Sequence, residues 1–299
     1  MKVLKGFGVG ILSFILFLSL SIFGIAFLLN STVLNPVFVA TEIEKIDMSP
    51  LIIEIAEEQI GDQLPEEALF VKEAIYEVIS EQEPQLKEQI NTAIYSGYDF
   101  FLGKSDNLNM VISLESLMEG LRESLWQTFH DYLPSELSGL SEDQLKTYFD
   151  QYYQDFTSQI PTELELDESF IPPEVMVQML LVRQYILYFQ TGYYALIAFM
   201  VLLVIGIILI NRNIRDTTRA LGIDLVVYGA LEFAAVLLAR YYTPIAQLLH
   251  DIPSSLQIWV SELYMDILAP LQTLSLGILL IGIILLVVSF VYKPQVAED

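Results

Sequence analysis

The sequence predicts a mainly α-helical membrane protein. Four helices span the bilayer, and a helical extracytoplasmic domain with a minor two-stranded β element is inserted between spans one and two. Three observations predict it. Of 299 residues 54% are hydrophobic, and these are bunched in blocks of about twenty, the length an α-helix needs to cross the hydrocarbon. Residues 31–174, between the first two blocks, are polar and carry apolar residues at helical spacing. Lys2 and Lys5, Arg212, Arg215 and Arg219, and Lys293 flank the blocks at three sites that fall on one side of a four-span chain, the bias that orients spans with their basic loops inside.

Span one covers residues 6–29 and follows Lys2 and Lys5. Its apolar run exceeds the 7–15 residues of a signal-peptide core, so it is expected to remain as a signal anchor. Gly6 and Gly10 form a small-xxx-small pair suited to helix packing in lipid. Residues 175–210 form a stalk and span two. Pro172-Pro173 opens this helix, since proline is tolerated in a first turn. A helix from 174 to 211 is roughly 57 Å long, against about 30 Å of hydrocarbon, so several turns are expected to project.

Span three, residues 221–239, is the least hydrophobic and holds Asp224 and Glu232, with Arg240 just beyond. Residues 241–270 are expected to form an outer interfacial helix carrying Leu256, Trp259, Leu263 and Ile267 on one side. Its tryptophan suits either the membrane interface or a seat against the base of the insert. Span four, residues 271–292, offers Gly277 and Gly282 as packing positions. The inner loop is expected to run from Asn211 to Arg219, with Arg212, Arg215 and Arg219 in it. With Lys2, Lys5 and Lys293 it places both termini in the cytoplasm and residues 31–174 outside.

The insert accounts for the whole net charge. Residues 31–174 hold 30 Asp and Glu against 6 Lys and Arg, and the chain total is −24. Such a surface disfavours nucleic acid and anionic lipid and admits cations or a basic protein. The chain has no cysteine, which excludes disulfides, thiolate metal sites and cysteine nucleophiles. The insert must therefore be held by its own apolar core.

Within it, Asn35-Pro36 and Ser49-Pro50 read as helix starts, Pro65-Glu66-Glu67 as a third and Pro84 as a fourth that Gly103 closes. Leu108–Leu114 and Ile160–Leu166 alternate apolar and polar residues and are expected to pair as strands. Between them lie two amphipathic helices. The stripe of the first is Leu114, Leu117, Leu121, Leu125 and Phe129; Ser141 and Gln144 make a capping box for the second, whose stripe is Leu145, Phe149, Tyr152 and Phe156.

No catalytic signature, phosphate loop, dinucleotide fingerprint or calcium loop occurs in the sequence. No cofactor is expected. His130-Asp131 and His250-Asp251 are the only histidine–carboxylate pairs. They are weak metal candidates, since neighbours on a helix point different ways. Glu232 is the sharper candidate. An ionised acid in mid-membrane costs about 2.5–3.5 kcal/mol on insertion scales, so it must face protein or water. Ser19, Ser21, Tyr194 and Ser275 lie at similar depth as hydrogen-bond donors. The role is either helix packing or a proton-linked or gating position.

These features support, as an expectation, a non-enzymatic membrane protein whose outer domain binds, senses or scaffolds. Its partners are membrane lipid and another protein, met through the outer domain or the spans, with no nucleic acid. One span, a large outer domain and three further spans also resemble, in topology, the membrane subunits of mechanotransmission-type ABC systems. That resemblance implies a transport-linked subunit served by an ATPase. The family has a cytoplasmic segment before span one and a longer coupling segment between spans two and three, where this sequence has five residues before Gly6 and Asn211–Arg219. An oligomeric channel is the third expectation.

Overall fold

The computed structural model describes residues 2–51, 69–131, 139–158, 162–167, 171–242 and 252–292. They form helices α1 (Lys2–Ser31), α2 (Pro36–Glu44) and α3 (Leu69–Phe101), strand β1 (Asn109–Ser113), helices α4 (Glu115–Asp131) and α5 (Glu142–Thr157), strand β2 (Glu163–Asp167), and helices α6 (Pro173–Asn211), α7 (Ile214–Tyr242) and α8 (Ser254–Val291). Four of these, α1, α6, α7 and α8, are long and apolar enough to cross a membrane. The chain divides into two compact units: Met1–Phe38 with Gln184–Asp251 and Val260–Asp299, and Val39–Arg183 with Ile252–Trp259.

The first unit is a helical bundle around Leu16, Leu20, Leu203, Ile207, Leu221 and Tyr228. Helices α7 and α8 meet backbone to backbone. A Cβ on Gly229 would lie 2.7 Å from the Leu279 nitrogen, and one on Gly282 would lie 2.7 Å from the Val226 nitrogen. Small residues permit such approach where no hydrophobic force drives apolar helices together. Gly282 is thus a packing position as expected. Gly277, Gly6 and Gly10 serve no contact of this kind among the described residues: a Cβ on any of them meets nothing there within 4 Å. A small residue allows close approach only where a neighbour faces it, and sequence spacing does not say which face that is.

The turn between α6 and α7 is shorter than expected. Arg212 takes a left-handed conformation, φ 51°, and the Asn213 carboxamide accepts from the Arg215 N–H at 3.0 Å, capping α7. Arg215 and Arg219 therefore lie on the first turns of α7 instead of in a loop. The Lys5 ammonium donates to the Asn211 carbonyl at 2.8 Å, where a cation meets the negative end of α6.

Helix α8 is a second correction. The sequence suggested an interfacial helix ending at Pro270 and a separate span; instead one 38-residue helix runs through Pro270. Proline removes one ladder hydrogen bond and crowds the preceding turn, but side chains secure that turn. Tyr264 donates to the Ala239 carbonyl at 2.9 Å, and Arg240 donates to the Met265 carbonyl at 2.9 Å.

The second unit is built on α3, α4 and α5. Val78, Leu121, Leu125, Phe149 and Tyr153 form its core, with Leu117, Met118, Trp126 and Phe129 packed against it. Helical spacing of the stripes puts these residues on facing sides. The Trp126 and Phe149 rings meet edge to face, centroids 5.3 Å apart. Tyr153 is buried and donates to the Met118 carbonyl at 2.5 Å; the expected stripe had Tyr152 and Phe156, whose side chains lie outside the described set. The capping box of Ser141 and Gln144 is present.

Strands β1 and β2 pair antiparallel, with Met110 opposite Leu166 and Ile112 opposite Leu164. The other edge of β1 meets α3: Gln89 accepts from the Ser113 N–H at 2.6 Å, and Ser96 donates to the Asn109 carbonyl. Gly103, φ 72°, ends α3 with two bonds, Gly103 N–H to the Phe100 carbonyl at 3.1 Å and Lys104 N–H to the Asp99 carbonyl at 2.8 Å. That is the left-handed glycine cap expected there.

Pro84 does not start a helix; α3 runs through it. Packing that local propensity does not contain holds the helix before the proline, where Val78 lies in the core and Glu83 is bonded to Met48 and Ser49, and after it, where Gln89 is bonded to Ser113. The start expected at Pro65 and the end expected at Gly61 fall outside the described residues.

Candidate functional site

The side chains that stand out in the bundle lie on α7. Asp224, Tyr228 and Glu232 follow one another at four-residue spacing, which keeps them on one side of a helix. Tyr228 is 1% exposed. Its ring meets Phe17 of α1 edge-on at 6.2 Å. Its hydroxyl and one Asp224 carboxylate oxygen are buried and have no hydrogen-bond partner among the described residues, although the Asp224 carboxylate accepts from Ser13. Such groups are uncommon in folded proteins because each gives up its water without compensation.

Helix α1 shapes the place where they converge. A Cβ on Gly24 would lie 2.5 Å from the Tyr228 hydroxyl, 3.4 Å from a Glu232 carboxylate oxygen and 3.5 Å from Leu271 of α8. Glycine at 24 therefore leaves the space that both the phenol and the carboxylate approach, and the two are not hydrogen-bonded to each other. Glu232 is half-buried.

The donors expected near Glu232 are otherwise engaged. Ser19 donates to the Ile15 carbonyl at 2.8 Å, Ser21 to the Phe17 carbonyl at 3.1 Å and Ser275 to the Gln272 carbonyl at 3.0 Å. Hydroxyls in helices commonly turn back on their own ladder in this way. Tyr194 is 69% exposed. The neighbour of Glu232 is Tyr228, one turn away on the same helix, which sequence reasoning missed. Its signal was the four-residue spacing from Asp224 to Glu232. Arg240 is directed elsewhere, to the Met265 carbonyl.

The second unit holds an open groove of about 720 Å³ lined by Glu44, Glu83, Lys87, Glu88, Asn91 and Tyr95, among others. Lys87 pairs with Glu83 at 2.7 Å. Burial pushes the Glu83 carboxyl up, but hydrogen bonds from Lys87, Ser49 and the Met48 N–H outweigh it and hold the group down at about 2. It is an ionised strut. Trp259 belongs to this unit: its indole N–H donates to the Glu42 carbonyl at 2.7 Å. Of its two expected seats it takes the one against the insert.

His130 is exposed, its ring 6.3 Å from Trp126. The side chain of Asp131, and His250 and Asp251 entirely, lie outside the described set. Among the described residues no group of three or more His, Asp or Glu could hold a metal ion. Comparison of the chain with protein-family models, curated proteins and solved structures found no match.

Proposed function

We propose that the chain is a multi-pass protein of the cell membrane with both termini cytoplasmic, and that residues 31–174 stand outside as a non-enzymatic domain that binds or scaffolds another protein. One observation carries the reading: between two span-length helices lies a unit with its own aromatic core whose stretch of sequence carries the entire net negative charge. A core of that kind gives a fixed surface, and the charge selects a basic partner. Affinity purification of the full chain from its native membrane, read by mass spectrometry, tests it. The expected result is a basic partner that is retained at low salt, released as salt rises, and lost when Glu142 and Asp143 on the exposed start of α5 are changed to Lys together with Glu123 on α4. Retention indifferent to both salt and charge reversal would contradict it.

A second reading, a membrane subunit of a transport system, is favoured by the buried Asp224 and Tyr228 inside the bundle, each with an oxygen that has no partner among the described residues, since ionisable residues within spans mark ion and proton pathways. Co-purification of an ATPase would support it.

A further inference from the structure

We propose that Glu232 is an intramembrane proton-binding site, with Tyr228 as its hydroxyl partner and Gly24 as the space both require. The observation that carries it is the buried tyrosine. Tyr228 is 1% exposed, and its hydroxyl has no hydrogen-bond partner. Aromatic packing alone would be met by phenylalanine, and leaving a phenolic O–H bare in an apolar core is unfavourable. The hydroxyl is instead directed to Gly24 of α1, a position without a side chain, where a Glu232 oxygen also arrives without being bonded to it.

Two protonation states use this arrangement differently. When Glu232 is ionised, the phenolic O–H is the donor that a carboxylate in an apolar setting needs. When Glu232 takes up a proton, the acid O–H donates and the phenolic oxygen accepts. The proton enters and leaves on Glu232; no bond of Tyr228 is broken in either state.

The surroundings supply little to compete. The titratable groups on the same side are Tyr228 and, two turns from Glu232, Asp224, all on α7. Helix α1 presents Gly24 and α8 presents Leu271 at the point of convergence. Helix α6 contributes Leu203 and Ile207 to the core that holds Tyr228. Arg240 is bonded to the Met265 carbonyl.

Dicyclohexylcarbodiimide provides the test, because it reacts with protonated carboxyls in apolar surroundings. The full chain in native membranes is treated across a pH series and the adduct is mapped by peptide mass spectrometry. The expected result is an adduct on Glu232 whose yield rises as pH falls and which is lost in Glu232→Gln. Tyr228→Phe, which keeps the ring packing, should displace the yield along the pH axis. Three results would overturn the proposal: no adduct on Glu232 at any pH, an adduct of constant yield, which marks a permanently protonated packing group, or an adduct on Asp224 in place of Glu232. The wild-type titration decides among these even if a variant fails to assemble.

Discussion

The bundle and the acidic unit solve the same problem, fixing helices against one another, by opposite means. In the bundle the contacts between α7 and α8 rest on absent side chains: Gly229 and Gly282 each admit a neighbouring backbone to 2.7 Å from where a Cβ would stand. In the acidic unit the contacts rest on large side chains, with Trp126, Phe129, Phe149 and Tyr153 interlocked. On the proposed topology, the solvent explains the difference. In water, burying an aromatic ring is itself the driving force. Beside lipid a leucine gains nothing by leaving hydrocarbon for protein, so close backbone packing and polar contacts must serve.

The contrast can be broken first at Gly229. Gly229→Leu would drive a side chain into the Leu279 backbone, and the expected result is loss of monodisperse protein in detergent by size-exclusion chromatography. Gly277→Leu should be tolerated, since nothing lies within 4 Å of a Cβ there. Equal behaviour of the two variants would refute the packing account.

Phe149→Ala is the counterpart in the acidic unit. Removing a buried ring costs about 3–5 kcal/mol. The chain has two tryptophans, and both belong to this unit, so tryptophan fluorescence in a denaturant titration reads it alone. The expected result is an early fluorescence transition with the chain still inserted in the membrane.

A smaller effect depends on pH. The Glu83 carboxyl is depressed from the ordinary 4.5 to about 2 in the folded chain. A group depressed on folding adds stability that is fully present above the unfolded value and is lost as pH falls through the folded one. The fluorescence-detected melt should therefore weaken between about pH 4.5 and 2, and Glu83→Gln should reduce that slope. The smallest effect is expected for Ser141→Ala, which removes the capping box of α5 and should cost about 1 kcal/mol in the same titration.

How much of this was legible in the sequence follows from how local each signal is. The caps at Asn35, Gly103 and Ser141 were readable because donor and acceptor lie within a few residues of each other. The pairing of β1 with β2 was readable because alternation marks both strands. The two prolines misled for the same reason in reverse. A local rule starts a helix at Pro84 and ends one at Pro270, but contacts from distant residues hold both helices through them. In the candidate site, Glu232 was found because an acid in an apolar run is conspicuous. The roles of Tyr228 and Gly24 were not readable, because nothing in α1 announces which glycine faces α7.

The proposed topology is that one cysteine-free chain crosses the membrane four times and carries its acidic unit outside. Single cysteines at Asn107 in the acidic unit and Asp216 at the start of α7, both exposed, test it with an impermeant thiol reagent on intact cells. Asn107→Cys should label directly, and Asp216→Cys should label only after the cells are opened. Labelling of Asp216→Cys in intact cells with Asn107→Cys silent would contradict the account.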